Sequence, residues 1–288
     1  MAVRSHFAVG GSFAVGSSRF AVHSLQLAVR ILLVASLATL AACGTPRPPS
    51  LPTGAGVPFP DFSAAYEEAT ASCRGVKTLT ASMAMSGRAG TTRLRGRVDA
   101  GFAAPGRARL EGIAPFGKPV FILVADGGKG TLVLPRDERV LRDAPPEQIV
   151  EALAGVRLGA DDLRIILSGC GLPGARPADG RSYTNGWVSG SSADGAVYLA
   201  RGGDAWRVAA ATRGPLTVTY SDYASGRPST IRLRSTSDTR TTADLTLRLS
   251  DVEINTTLDP KTFEVDLPEH PVPLTLEELR RAGPLGGS

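Results

Sequence analysis

From Val76 onward the chain alternates apolar and polar residues with a period of two, and only a few stretches change to a period near 3.6. Leu79, Ala81, Met83 and Met85 lie on one side of a first strand; the chain turns near 89–91, and Leu94, Val98 and Phe102 face inward from the returning one. Arg107, Arg109 and Glu111 then alternate with Ala108, Leu110 and Gly112, which is the pattern of a strand with one wet face. Ala114-Pro115-Phe116-Gly117 forms a tight turn, and Pro119 to Val124 returns as a strand, so Phe116 sits at the tip of a hairpin. Short strands at Thr131–Leu134 and Arg139–Arg142 follow. At Asp143 the period changes. Pro145 and Pro146 suit a helix start, Ile149, Val150 and Leu153 have helical spacing, and Gly155 can close the helix. A second helix covers Ala160 to Ser168, with Leu163, Ile166 and Leu167 on one side.

Strands resume at Ser182–Val188, Val197–Arg201, Trp206–Ala210, Leu216–Tyr220, Thr230–Ser235 and Ala243–Ile254. In the last of these the inward parity of Leu245, Leu247 and Leu249 passes to Val252 and Ile254, which predicts a bulge at Ser250-Asp251. Phe263, Val265 and Leu267 suggest a final strand, and Thr275 with Glu278 forms a capping box for a short helix ending near Gly283. Before all of these, Asp61 is placed to cap a helix running through Cys73 to a stop near Gly75. The expected class is mainly β (α+β): about a dozen strands in one antiparallel sheet, curled into an open half-barrel because flat sheets of that width are uncommon, with helices covering its concave face.

Composition adds a compartment. Of the formal charge of +5, Arg4, Arg19 and Arg30 lie before Cys43 with no acid beside them, so 5 − 3 leaves +2 for the remainder. A nucleic-acid partner therefore has no electrostatic basis in the overall charge, and Arg93, Arg95 and Arg97 read as the solvated face of a strand. The uncharged run from Ile31 to Ala42, preceded by Arg30, has the form of a signal-peptide apolar region. Its end, Leu40-Ala41-Ala42-Cys43, resembles the lipobox of bacterial lipoproteins, in which the Cys thiol carries the lipid. That resemblance implies lipidation of Cys43, an anchor made effectively permanent by about 0.8 kcal/mol per buried methylene, and, with Gly44 rather than Asp following, a place on the outer membrane facing the periplasm. Residues 1–42 are thus expected to be a signal peptide, of which 1–24 is an over-extended start or dispensable. Residues 43–60 form a Pro/Gly-rich tether, 61–270 the folded domain, and 271–288 a tail.

Chemistry is sparse. His270 follows the leader alone, in Glu-His-Pro, and reads as solvated surface. Cys73 and Cys170 have no metal-like spacing. In an oxidising compartment they are either a disulfide, closing a loop of about a hundred residues worth roughly 4–5 kcal/mol, or two buried free thiols. Asp161 and Asp162 suit a helix start better than a catalytic dyad, and Gly127-Gly128-Lys129-Gly130 reads as a hairpin turn. No metal, cofactor or catalytic residue is expected.

A curled sheet covered by two short helices leaves room for an apolar hollow. The residues expected to line it or its lids are Leu94, Val98, Leu110, Ile122, Leu132, Leu134, Ile149, Leu153 and Ile166, although both faces of 120–124 are apolar. From Val76 to Pro173 the order of features resembles the outer-membrane lipoprotein receptor LolB and its relatives in the LolA/LolB superfamily. These features are a strand at Leu79–Gly87, Arg-Leu-Glu-Gly-Ile-Ala-Pro-Phe-Gly at 109–117, Asp143–Glu147 leading into a helix, Ala154-Gly155-Val-Arg-Leu158, and Leu163 to Pro173. In that family a Pro-Leu-Gly turn presents an exposed apolar residue that helps deliver lipoproteins into the membrane, and Phe116 stands at the matching position. The resemblance implies a monomer that binds acyl chains, accepts lipoprotein cargo from a soluble periplasmic LolA-like carrier and inserts it into the outer membrane. The alternative expectation is an assembly lipoprotein whose sheet is solidly packed and whose surface docks a membrane-protein partner.

Overall fold

The computed structural model describes residues 50–113, 119–237 and 240–284, and residues 48–288 form a compact unit. The proposed signal peptide, Cys43 and Phe116 lie outside the described residues.

After a short strand β1 (Val57–Pro58) and helix α1 (Phe62–Arg74), six strands follow in hairpin succession: β2 (Thr78–Ala89), β3 (Thr92–Ala103), β4 (Arg107–Ile113), β5 (Pro119–Asp126), β6 (Lys129–Leu134) and β7 (Arg139–Ala144). Helices α2 (Pro146–Ala154) and α3 (Ala160–Ser168) interrupt the meander. It resumes as β8 (Ala178–Ser182), β9 (Val188–Ser192), β10 (Gly195–Gly202), β11 (Ala205–Arg213), β12 (Leu216–Ala224), β13 (Arg227–Ser237) and β14 (Arg240–Ile254). A 3-10 turn (Pro260–Phe263), β15 (Val272–Pro273) and α4 (Leu276–Ala282) complete it.

All fifteen strands make one sheet in the order β1-β8-β9-β10-β11-β12-β13-β14-β2-β3-β4-β5-β6-β7-β15, mainly β and not closed into a barrel. Every pairing is antiparallel except β15 with β7. The chain's two meanders are joined by β14 lying beside β2, with Leu247 opposite Met85 and Leu245 opposite Gly87.

Local chemistry accounts for the elements. Alternation in β4 buries Ala108, Leu110 and Gly112 and leaves Arg107, Arg109 and Glu111 on the other face. Gly127 and Gly128, at φ 56° and 82°, make the β5–β6 turn. Gly155 closes α2 in the left-handed conformation at φ 72°. At the predicted bulge, register shifts between Ser250 and Glu253, with Asp251 at φ 52°.

Several expectations differ from the structure. Ser182–Val188 is not a strand but the turn joining β8 to β9, because Asn185-Gly186 supplies a left-handed glycine at φ 80° and Asn185 Oδ1 accepts the Trp187 N–H. Among the described residues Phe263 to Leu267 has no strand partner; Phe263 and Val265 instead pack with Ala103, Val124, Ile122 and Leu258 on the outer face. The predicted wet face of β4 is covered there: Arg109 donates to the carbonyls of Thr262 and Glu264, and Arg107 lies over the Phe263 ring at 5.1 Å. The end of the tether belongs to the sheet, with Val57 and Pro58 paired to Ser182 and Arg181. Asp61 occupies the N-cap position of α1 without a side-chain cap bond.

The tail is also part of the domain. Leu274 and Leu279 are buried in the main core, the Thr275–Glu278 capping box is formed, and α4 rests on α2. On the inner face of the sheet, α1 covers β8 to β11 while α3 crosses β2, β3, β4 and β13. Among the described residues no helix is long and apolar enough to cross a membrane.

Candidate functional site

The inward residues of adjacent strands meet in register to make an apolar band. Met83 pairs with Val98, Met85 with Gly96, Val98 with Gly112, and Leu110 with Leu123. Leu247 and Leu245 extend it across β14, and Leu233 opposite Leu245 continues it into β13. Strands from β13 through β5 therefore face one space, which the sheet's curl encloses and α2 and α3 cover with Val150, Leu153, Ala154 and Leu163. The space is a hollow of about 810 Å³, within the range of ~300–1,000 Å³ usual for ligand pockets.

Two glycines shape it. Gly112 has the Phe121 ring against it, where a Cβ would come within 2.2 Å of the ring, so Phe121 can lie flat across β4. A Cβ at Gly96 would meet open space, so this position leaves the hollow unfilled beside Met85. Met83 and Met85 give the wall a soft, adaptable surface. Polar groups stay at the margin. Arg95 and Arg97 border the hollow on either side of Gly96, and the Arg97 side chain donates to Ser82 Oγ and Asp99 Oδ1. Arg136 stands at the edge between β6 and β7. Ile113 and Val120, which flank residues 114–118, line the same hollow.

The cover is pinned. At the start of α3 Asp161 Oδ2 accepts the Gly106 N–H, Asp162 Oδ2 accepts the Gly159 N–H, and Asp162 Oδ1 pairs with Arg213 at 2.8 Å. These two acids are thus structural. At its other end the buried Tyr220 hydroxyl donates to the Ile166 carbonyl and accepts the Gly171 N–H; burial pushes its pKa upward, so it stays protonated. Cys170, just beyond, is bonded to Cys73 at the end of α1, with Cα atoms 5.5 Å apart across a separation of 97 residues. Helix α2 is held by the tail: Arg280 donates to Gln148, and Glu278 pairs with Arg139.

The nine sequence-derived lining residues separate into three groups. Val98, Leu110 and Leu153 face the hollow. Leu94, Leu132, Ile149 and Ile166 are almost wholly buried in the surrounding core, with Leu134 packed at its border; Ile149 fills the end of the space above Gly130, where a Cβ would come within 2.8 Å of its Cδ1. Ile122 is a correction: its parity puts it on the outer face with Val124 and Phe263, while Phe121 and Leu123 point inward. Lining residues missed include Met83, Met85, Phe121, Leu233, Leu245 and Leu247. The inward parity of Met83, Met85, Leu245 and Leu247 was legible, but their meeting depends on the β14–β2 pairing, which no local pattern announces. His270 is exposed, and among the described residues no cluster of His, Cys, Asp or Glu could hold a metal ion.

No family model matches the chain, and no curated protein matches it. Among solved structures the chain is similar to a LolA superfamily protein from Nitrosomonas europaea, at 13% identity over 70% of this chain and 97% of that one, with a TM-score of 0.48. It is also similar to a DUF1329 family protein from Desulfovibrio piger (11% identity, 70% and 96% covered, TM-score 0.41) and to the Mycobacterium tuberculosis lipoprotein LppX (11%, 69% and 98%, TM-score 0.31). At such identities and scores these likenesses carry no functional weight, which rests on the hollow.

Proposed function

We propose that the protein is a lipid-anchored carrier of the bacterial envelope, facing the periplasm, that holds acyl chains in the hollow and delivers lipoproteins to the outer membrane. The observation that carries this reading is an apolar space of about 810 Å³ with polar groups only at its margin, roofed by short helices. Such a space matches a flexible hydrocarbon chain, which needs area and volume but no directional hydrogen bonds. No bond is made or broken in this role; transfer follows from differences in acyl affinity along the route. Cys43, through its Leu40-Ala41-Ala42-Cys43 context, supplies the anchor. Phe116, set in sequence between the lining residues Ile113 and Val120, is the residue that enters the bilayer as cargo leaves. A soluble LolA-like carrier is the source of that cargo. The hollow also counts against an assembly lipoprotein with a filled sheet, whose premise was a packed concave face.

The test is transfer. Protein loaded with a lipidated peptide is mixed with vesicles, and wild type is compared with Phe116→Glu. Binding equal in the two, with delivery only by wild type, supports the reading; equal delivery by both removes Phe116 from the mechanism.

A further inference from the structure

The outer face of the sheet behind the hollow carries charge that the chain as a whole conceals. Register places Arg234, Asp244, Arg88 and Arg93 in one row across β13, β14, β2 and β3. The next row is Arg232, Thr246, Ser86 and Arg95, and the next Thr230, Arg248, Ala84 and Arg97. Seven arginines thus occupy a block about 15 Å wide across four strands. Two carboxylates answer them: Asp244, bound by Arg232 at 2.6 Å and Arg234 at 3.3 Å, and Asp99, bound by Arg97 at 3.3 Å. Seven positive groups less two negative leave +5 on this block, more than the +2 carried by the whole chain after Cys43. Among the described residues Arg88, Arg93, Arg95 and Arg248 are exposed and make no ion pair.

We infer that this face docks on a membrane surface carrying anionic lipid headgroups. The inference rests on the acyl-carrier reading of the hollow and specifies where that carrier meets lipid. Its second support is continuity: Arg95, Gly96 and Arg97 border the hollow, and strand register puts Arg95 and Arg97 on the outer face. Seating the block on headgroups therefore brings the margin of the hollow to the bilayer. The residues between the arginines are Ala84, Ser86, Thr230 and Thr246. They provide neither the aromatic or large apolar anchors on which protein interfaces depend nor the aromatic platforms used to stack nucleic-acid bases. A flat field of guanidinium groups suits a fluid array of phosphates, where many weak contacts add.

The experiment is co-sedimentation of the chain from Gly44 onward with vesicles of phosphatidylcholine alone or mixed equally with phosphatidylglycerol, together with a fluorescent fatty acyl probe of the hollow. The expected result is at least tenfold tighter binding to the anionic vesicles, weakening steeply with added salt. The combined substitution Arg88→Glu, Arg93→Glu and Arg248→Glu, at positions that do not line the hollow, should remove the preference and leave probe binding unchanged, while the same three positions as Lys should keep it. Equal binding to both vesicles, or an unaltered preference in the Glu variant, would overturn the inference. So would salt-sensitive binding to polyglutamate in place of vesicles, which would assign the face to an acidic protein. If wild type shows no probe site but keeps the anionic preference, the acyl-carrier reading fails and the docking face stands.

Discussion

Val98 and Leu132 are both apolar, both point inward and both are nearly inaccessible, at 7% and 0% exposure, yet they have opposite roles. Val98 faces the hollow, whereas Leu132 is enclosed by core on every side. Val98→Trp should therefore take up binding space and weaken an acyl probe at least tenfold, about 1.4 kcal/mol or more, with little change in thermal unfolding. Leu132→Ala leaves a cavity in packed core and should lower unfolding free energy by roughly 2–5 kcal/mol while the folded protein still binds the probe. Denaturant titration beside probe titration separates the two. Alternation alone made both residues legible as inward-facing; whether an inward residue meets packing or space depends on what the helices bring, and Ile149 brings a plug where Leu153 does not. Ile122 was misread because β5 is apolar on both faces, and parity says nothing when each face has its own cover. On the outer face, the hydrogen bond and charge of Arg232 hold the Asp244 carboxyl below its ordinary value of 3.8. A depressed folded pKa stabilises the protein above the unfolded value, and the effect is lost as pH falls below about 3.8. Asp244→Asn should flatten the decline of stability in that acidic window, measured by urea unfolding at stepped pH.

At the scale of elements, strands bounded by glycine turns and the helix bounded by Pro146 and Gly155 were legible because their signals are local. The errors lie where a local signal was outvoted. The Asn185-Gly186 pair cut an apparent strand in two, and Phe263 and Val265 pack on the outer face against Ala103, Val124 and Ile122 instead of pairing as a strand. Cys73 and Cys170 left two outcomes open, and the pairing depends on α1 and α3 lying side by side. With a separation of 97 residues, Cys73→Ser with Cys170→Ser should reduce stability by about 4–5 kcal/mol, read as a fall in the denaturant midpoint. A midpoint unchanged from wild type would show that the bridge constrains nothing. The tail supports α2 in the same sense. A chain ending at Pro271 loses the burial of Leu274 and Leu279, at most about 3–6 kcal/mol together, and frees Gln148 and Arg139 from their partners. Because α2 roofs the hollow through Val150 and Leu153, hydrogen exchange in Pro146–Ala154 should rise well before exchange in β2 and β3 does.

The described residues form one large sheet whose two faces differ in chemistry. Its inner face is packed wherever α1, α3 and the Ile149 end of α2 reach it, and is left open where Gly96 and Gly112 meet Met85 and Phe121. Its outer face, behind that opening, gathers arginine from two strand pairs, β2–β3 and β13–β14, that are far apart in sequence. Neither the opening nor the block could be read along the chain, since each is produced by β14 closing against β2. The function proposed for this protein depends on the opening holding acyl chains. Native mass spectrometry of the chain from Gly44 onward, under conditions that retain bound lipid, tests it most directly. Wild type should carry an added mass of acyl-bearing lipid that is lost in Val98→Trp. Protein that carries no lipid as purified and takes up none when a fatty acid is added would contradict it.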